Sequence, residues 1–256
     1  MLAARPSNKF EADYFININC PIHINGECEI ICCKKGEIDI YVNDERFTLR
    51  QNQTFFIMPF EYHEFKTPQN SECIRFIIYE KSAQSFFDFI ENKKTSKRIF
   101  TTDIKTLNYI EHILEPNPDT VSVKSITYAL CREVLKGCKF EENTGGELSL
   151  FTKALDHMSK NFSSGVTLES TAKSLGVHPV HLSRTFKKSA KYSFTAYLNL
   201  IKFSRAQFLL KTTDKTITEI SYESGFGSLR NFNRIFYSIA KMTPSEYKSS
   251  FTEYPF

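Results

Sequence analysis

The sequence predicts an α+β protein with a small N-terminal β-barrel and an all-α C-terminal domain. Short runs of alternating apolar residues between residues 10 and 79 are typical of a small barrel or jelly roll. Apolar residues then recur at helical spacing, which predicts helices that flank the barrel. Beyond residue 166, two similar segments follow each other at an offset of 49 to 50 residues. This repeat predicts two helix-turn-helix motifs joined by a long helix.

The first helix-turn-helix motif is predicted over residues 168–189. Gly176 ends its first helix, because a left-handed backbone costs least at glycine. Pro179 suits the first turn of the second helix, where the missing N–H would be unpaired in any case. Leu182 and Phe186 are one helical turn apart, so we expect both to point inward.

The second motif is predicted over residues 217–239. Thr216 and Glu219 have the spacing of a capping box at the start of its first helix. Gly225 supplies the turn, and Ser228 is a suitable N-cap for the second helix.

The outer helices of the two motifs carry arginine at equivalent positions. Gly176 aligns with Gly225, and Arg184 aligns with Arg234 after one extra residue in the second copy. Two unrelated helical hairpins with solvated outer faces are the alternative interpretation, and the paired arrangement disfavours it. The largely apolar segment 194–211 predicts the long helix between the motifs.

Length and charge suit two domains of different character. A chain of 256 residues is long enough for two hydrophobic cores. Residues 148–256 contain 15 Lys and Arg against 7 Asp and Glu, whereas residues 1–147 contain 18 against 22. A basic domain joined to a mildly acidic one is typical of a polyanion binder with a separate regulatory part. We assign residues 1–140 to the N-terminal domain, 141–147 to a linker and 148–256 to the C-terminal domain.

The sequence favours a cytoplasmic location. No run of 18 apolar residues occurs, so no membrane span is predicted. The first ten residues, MLAARPSNKF, lack the apolar core of a signal peptide.

All the cysteines precede the predicted linker, and they are Cys20, Cys28, Cys32, Cys33, Cys73, Cys131 and Cys138. Their spacing fits neither a zinc site nor a disulfide framework. Buried thiols that act as small apolar side chains are therefore predicted. Redox sensing by the adjacent Cys32 and Cys33 is the alternative.

The segment Met58–His63 resembles the second short motif of cupin barrels, in which a proline turn leads to an inward-pointing histidine. Metal-binding cupins also carry an earlier His-x-His and Glu motif, whereas the only earlier histidine here is His23. One imidazole does not form a metal site without partners, so no metal and no cofactor are predicted. His63 is instead predicted to line an effector pocket or to be a hydrogen-bonded core residue.

Helices are predicted around Phe86–Ile90, Ile104–Leu114 and Ile126–Leu135. Each has an apolar stripe that packs on the barrel or on a second subunit. We expect the segment Val121–Leu135 to form the contact between two subunits.

The C-terminal domain resembles the DNA-binding domain of AraC/XylS-type bacterial transcription regulators. The matching strings are VHPVHLSRTFKK (177–188), SFTAYLNLIKFSRAQFLL (193–210), ITEISYESGF (217–226) and MTPSEY (242–247). The resemblance implies two recognition helices that enter successive segments of the major groove. It also implies that the N-terminal part is a cupin-like domain for effector binding and dimerisation.

The resemblance assigns the DNA contacts by position. In the first recognition helix, base edges would be read by Val180, Ser183 and Arg184, and phosphates would lie near Lys187 and Lys188. In the second helix, the reading residues would be Leu229, Arg230, Asn233 and Arg234. Arginine suits guanine and asparagine suits adenine.

The sequence departs from the family in two places. Tyr237 and Ser238 replace the usual basic pair after the second recognition helix, which predicts weaker phosphate anchoring there. Ala240 and Lys241 replace the usual glycine turn, so the local turn geometry is open.

These observations lead to the hypothesis of a sequence-specific transcription regulator, an activator controlled by a small-molecule effector. The expected partners are double-stranded promoter DNA, RNA polymerase, the effector and a second copy of the chain. Control by a protein partner or by cysteine redox state is an alternative. A cupin enzyme with an accessory DNA-binding part is another, but no catalytic arrangement is recognised, so we expect no enzyme.

Overall fold

A computed structural model describes residues 11–67, 70–114, 119–142, 146–190 and 192–252. The chain divides into two compact units, whose main bodies are residues 27–144 and residues 145–256. Strands dominate the first and helices form the second, which confirms the predicted α+β class. Among the described residues, no helix has both the length and the apolar character needed to cross a membrane.

The strands form two main antiparallel sheets and one short ribbon. The strands are β1 (Glu11–Ile16), β2 (Cys20–Ile24), β3 (Cys28–Lys35), β4 (Glu37–Val42), β5 (Glu45–Arg50), β6 (Thr54–Ile57), β7 (Tyr62–Lys66), β8 (Glu72–Ile78), β9 (Lys93–Lys97), β10 (Ile99–Phe100) and β11 (Lys139–Glu142). One sheet has the order β1-β8-β3-β6-β10, the other has the order β2-β7-β4-β5, and β9 pairs with β11.

The hairpin of β4 and β5 follows directly from its sequence. Ile38, Ile40 and Val42 alternate with polar residues, and all three are buried. Asn43 and Asp44 form the turn with φ values of 51° and 67°, the left-handed backbone that a tight hairpin turn requires.

Strand β3 is mostly apolar because both of its faces are covered. Ile30 and Cys32 pack in one core cluster, while Ile31 and Cys33 pack in another with residues of the second sheet. The first cluster also receives the helices α1 (Gln84–Ile90), α2 (Ile104–Ile113) and α3 (Thr120–Gly137). Glu29 shares the face of Ile31 by alternation, which places a carboxylate between the sheets.

Strand β11 extends into the segment that the sequence assigned to the linker. Glu141 and Glu142 lie in β11, where they form cross-strand ion pairs of 3.3 Å with Lys94 and 3.2 Å with Lys93. The polar character of this segment therefore reflects ion pairs across the two strands. Residues 143–145 lie outside the described residues, and the first helix of the second unit begins at Gly146.

The second unit contains seven α-helices within the described residues. They are α4 (Gly146–Asn161), α5 (Leu168–Ser174), α6 (Pro179–Ala190), α7 (Phe194–Thr212), α8 (Ile217–Glu223), α9 (Leu229–Ala240) and α10 (Pro244–Thr252). The α5–α6 and α8–α9 pairs confirm both predicted helix-turn-helix motifs, and α7 confirms the long connecting helix.

The turns explain why glycine occurs where it does. Gly176 and Gly225 have φ values of 68° and 78°, which favour a residue without a side chain. Lys241 ends α9 in the same left-handed region with φ 58°, so a lysine adopts the conformation for which the family uses glycine.

Candidate nucleic-acid interface

In the first motif, α5 begins with a cap and α6 is held by a buried aromatic contact. The Ser170 amide N–H donates to Thr167 Oγ1 at 3.1 Å and the Ser170 hydroxyl receives the Thr167 N–H at 2.9 Å, so α5 begins with a capping box. Phe186 on α6 is fully buried and its ring lies 5.2 Å from that of Phe194 at the start of α7.

The second motif has the same two features, a cap at the start of α8 and a buried aromatic contact on α9. The Glu219 carboxylate accepts the Thr216 N–H at 2.8 Å, which confirms the predicted capping box. Phe236 on α9 is fully buried, and its ring lies 4.8 Å from that of Phe203 on α7. Both recognition helices are therefore packed against one continuous helix, α7.

The residues predicted to read DNA lie on the outer faces of α6 and α9. Ser183 is half-buried. The exposed members are Val180, Arg184, Lys187, Lys188, Leu229, Arg230, Asn233 and Arg234. The inward-facing partners, Leu182 on α6 and Phe232 on α9, are fully buried. Each helix thus presents an arginine-containing face while its other face is held in a core.

Arg234 is oriented by a residue that sequence reasoning missed. Its Nη2 donates to Asn231 Oδ1 at 2.9 Å, and Asn231 Nδ2 donates to the Phe226 carbonyl oxygen at 3.2 Å. Asn231 therefore links Arg234 to the backbone of the turn. The spacing of three residues between Asn231 and Arg234 on one helix is the sequence signal that could have found it.

The ends of the two recognition helices differ. Lys187 and Lys188 occupy the last turn of α6. On α9, the Ser238 hydroxyl donates to the Ile235 carbonyl oxygen at 2.7 Å, so it is engaged with its own helix. Lys241 Nζ donates to the Ser238 carbonyl oxygen at 2.8 Å, which supplies a positive charge just beyond α9.

His63 is buried and contacts a carboxylate. His63 Nε2 lies 3.2 Å from Glu29 Oε2, and both side chains are buried. Arg75 Nε lies 3.9 Å from Glu29 Oε1. Burial raises the pKa of Glu29, but His63 and Arg75 outweigh burial and hold this pKa below its usual value.

The approach of Glu29 to His63 is the feature of the barrel that the sequence did not reveal. The two residues lie on strands that are distant in the sequence, β3 and β7. The clue in the sequence is Glu29, a carboxylate within the apolar stretch Cys28–Cys33.

The cysteines are mostly buried thiols, as predicted. Only Cys20 is partly exposed. Burial raises the pKa of Cys32 to about 11 and also raises the pKa of Cys33, so both are protonated at neutral pH. This disfavours the redox-sensor alternative, since the thiolate is the reactive form.

Two outward-facing recognition helices on one supporting helix, together with a separate β-barrel unit, define a helix-turn-helix regulator with a regulatory domain. Residues 10–114 match the AraC-like ligand binding domain family, and residues 171–250 match a helix-turn-helix domain family. The chain belongs to the AraC-type helix-turn-helix transcriptional regulators.

Relatives in sequence and in structure agree with this assignment. The HTH-type transcriptional regulator YijO of Escherichia coli K12 is 28% identical over 162 residues, covering 62% of this chain and 56% of YijO. The regulator SAS0078 of Staphylococcus aureus is 22% identical over 232 residues, covering 88% of this chain and 30% of its own length. The chain thus spans about half the length of YijO and less than a third of the length of SAS0078.

The fold is similar to that of ToxT from Vibrio cholerae. A ToxT structure with a bound unsaturated fatty acid has a TM-score of 0.69 at 16% identity, covering 99% of this chain and 100% of ToxT. A second crystal form of ToxT has a TM-score of 0.68 at 15% identity, covering 94% of this chain and 98% of ToxT. At this identity the likeness confirms the cupin-like barrel and the helical domain as a fold.

Proposed function

We propose that the chain regulates transcription by binding promoter DNA with α6 and α9 in successive segments of the major groove. The observation that carries this proposal is the placement of Arg184 and Arg234. The two arginines are exposed at equivalent positions on helices that pack against the same helix, α7. A shared rigid support fixes the separation of the two reading faces, as binding to one face of DNA requires.

The side chains of the two faces divide into readers and anchors. Arginine can donate two hydrogen bonds to guanine, and asparagine can pair with adenine in the same way. The proposed base-reading residues are Val180, Ser183, Arg184, Leu229, Arg230, Asn233 and Arg234. Lys187 and Lys188 are proposed to hold α6 against phosphates, which position a helix without reading sequence.

We further propose that a small-molecule effector binds the N-terminal domain and that the chain acts as a cytoplasmic activator that engages RNA polymerase. The match to the AraC-like ligand binding domain supports an effector. The fatty acid bound to ToxT supports a small molecule in particular, because the two folds are similar. A protein partner in place of the effector is the second candidate, and no enzymatic activity is proposed.

The outer face of α3 is proposed to join two copies of the chain. Val121, Tyr128 and Leu135 are 77%, 50% and 44% exposed and recur every seven residues, so they form one apolar stripe. Helix pairs bury such stripes against each other. Sedimentation of the full chain should show a dimer, and Tyr128→Glu should give a monomer with unchanged circular dichroism. A wild-type chain that sediments as a monomer at high micromolar concentration contradicts the proposal.

The DNA-binding proposal is tested by immunoprecipitating the full chain with its chromatin and sequencing the bound DNA. A shared sequence upstream of genes is the expected result. The bound fragment is then titrated with purified protein at two salt concentrations. Affinity should fall steeply with salt, because lysine and arginine displace counterions from phosphates. Absence of salt-dependent binding to any recovered fragment would overturn the proposal.

A further inference from the structure

Recognition helix α6 is capped by a histidine. The His178 carbonyl oxygen accepts the backbone N–H groups of His181 at 3.0 Å and Leu182 at 3.2 Å, so His178 is the N-cap residue. Serine, threonine, aspartate and asparagine are the usual N-caps, because their side-chain oxygens accept a backbone N–H. The start of α6 therefore depends on a side chain of a different kind.

The imidazole of His178 does the work of that oxygen. Pro179, the first residue of α6, has no N–H to satisfy. The next amide is that of Val180, and its N–H donates to His178 Nδ1 at 3.3 Å. In the second motif the corresponding acceptor is the Ser228 hydroxyl, which receives the Asn231 N–H at 3.3 Å. Both recognition helices thus have a side-chain cap, and of these two caps the one on α6 can change its charge.

The cap of α6 exists only while His178 Nδ1 carries no proton. A protonated ring nitrogen donates and no longer accepts, so protonation removes the hydrogen bond from the Val180 N–H. Protonation also places a positive charge at the N-terminus of α6, where the helix dipole favours negative charge. Histidine is the side chain that changes charge between about pH 5 and pH 8. Acidification across this range therefore releases the first turn of α6.

The charge that His178 gains is not neutralised by an ion pair. The side chain is exposed, and among the described residues none forms an ion pair with it. The charged or titratable groups nearest to it along the chain are Lys173, His181 and Arg184. On α4, the His157 ring is directed at Ser174 Oγ, which is 3.4 Å from its Nδ1. The positive charge therefore acts on the helix that His178 caps.

We propose that His178 positions the reading face of α6 and makes DNA binding by this helix sensitive to pH. The inference rests on the proposed function, because it concerns the same recognition helix. Val180, which donates to the cap, is 50% exposed and is the first of the proposed base-reading residues. A capped first turn meets DNA already ordered, whereas a released turn must be ordered on binding. DNA affinity falls as His178 gains its proton.

Titration of the full chain on its promoter fragment at pH 8 and pH 5.5, at one salt concentration, tests this inference. The reference is His178→Ser, which keeps an acceptor that does not titrate in this range. The wild type should bind as tightly as His178→Ser at pH 8 and about 3- to 10-fold more weakly at pH 5.5, the effect that loss of one N-cap produces. His178→Ala lacks the acceptor and should be weaker than His178→Ser by a similar factor at both pH values.

Two further variants are matched controls. Ser228→Ala removes the cap of α9 and should weaken binding by the same factor at both pH values. His181→Gln removes the exposed histidine within α6 and should keep the pH response of the wild type.

A wild type that binds as tightly as His178→Ser at both pH values overturns the inference alone. Tighter binding by the wild type than by His178→Ser at pH 5.5 overturns it as well, because protonated His178 would then attract phosphate and would not act through the cap. Absence of salt-dependent DNA binding by the wild type at pH 8 rejects the proposed function, and this inference with it.

Discussion

The two helix-turn-helix motifs have the same plan, but their turns lie in different surroundings. A Cβ added at Gly176 in the first turn would meet nothing within 4 Å. A Cβ added at Gly225 in the second turn would lie 2.6 Å from the Phe162 carbonyl oxygen. The first glycine serves only the left-handed backbone, whereas the second also allows a close approach between two backbone segments. Equivalent positions in a repeat therefore carry different constraints.

The largest expected effect is on the free energy of unfolding, and it differs between the two turns. Gly225→Ala adds both left-handed strain and a clash with backbone, so we expect a loss of about 3 kcal/mol or more in unfolding free energy. Gly176→Ala adds the strain alone and should cost about 1 kcal/mol. Urea unfolding of both variants measures the difference, with Gly165→Ala as a control at another open left-handed glycine. Equal losses at both turns would contradict the comparison.

This difference also shows where sequence reasoning succeeds and stops. The glycine turns, the caps and the outer faces were predictable because they depend on residues close together in the chain. The Gly225–Phe162 approach was not, since the two are 63 residues apart and tertiary packing brings them together. The same holds in the barrel. Strands β4 and β5 were predicted from alternation, but the approach of Glu29 to His63 depends on how separate strands lie in the sheets.

The second expected effect is on DNA binding. Arg184→Ala and Arg234→Ala each remove a proposed base contact, which costs about 1–3 kcal/mol. We expect Arg184→Ala to be the more damaging, because the basic last turn of α6 is proposed to hold that helix on the DNA backbone and so to concentrate affinity there. Titration of both variants on the same promoter fragment decides the order. A larger loss for Arg234→Ala would show that neighbouring charges do not set the balance.

The capping boxes differ in their response to acid. Thr167→Ala and Thr216→Ala should each cost about 1 kcal/mol at neutral pH. Hydrogen bonds from Thr216 hold the pKa of Glu219 below its usual value, whereas the first box uses Ser170, which does not titrate. A depressed folded-state pKa stabilises the fold above the unfolded pKa, and this stabilisation is lost as pH falls through the folded pKa.

Unfolding of Glu219→Gln and Ser170→Ala at pH 7 and pH 3 checks this difference. The destabilisation by Glu219→Gln should shrink at the lower pH, because the wild type has then lost its carboxylate. The destabilisation by Ser170→Ala should be unchanged. An identical pH response of both variants would show that the carboxylate charge does not contribute to the second cap.

A smaller effect is expected at the phosphate contacts. Lys187→Ala should weaken binding to all sequences alike and reduce the salt dependence by about one unit of slope. Lys241→Ala is the comparison on the second motif, where the lysine is held at the end of α9 by the Ser238 carbonyl oxygen. If the two variants change the slope equally, the anchoring of the two recognition helices is symmetric, and the expected dominance of α6 loses its physical basis.

The smallest effect concerns the preorganisation of Arg234. Asn231 accepts a hydrogen bond from Arg234 and donates one to the Phe226 carbonyl oxygen, so the guanidinium needs less ordering when it meets a base. Asn231→Leu should therefore relax discrimination at the base pair that Arg234 is proposed to read, with a coupling of about 0.5–1 kcal/mol. A double-mutant cycle with Arg234→Ala measures this coupling on the natural site and on a site changed at that base pair.

The equivalent position on α6 is His181, and the same cycle with His181→Leu and Arg184→Ala is the matched control. Additive losses in the α9 cycle, with the natural site still bound by the wild type, would mean that Asn231 supports the turn and does not orient the arginine.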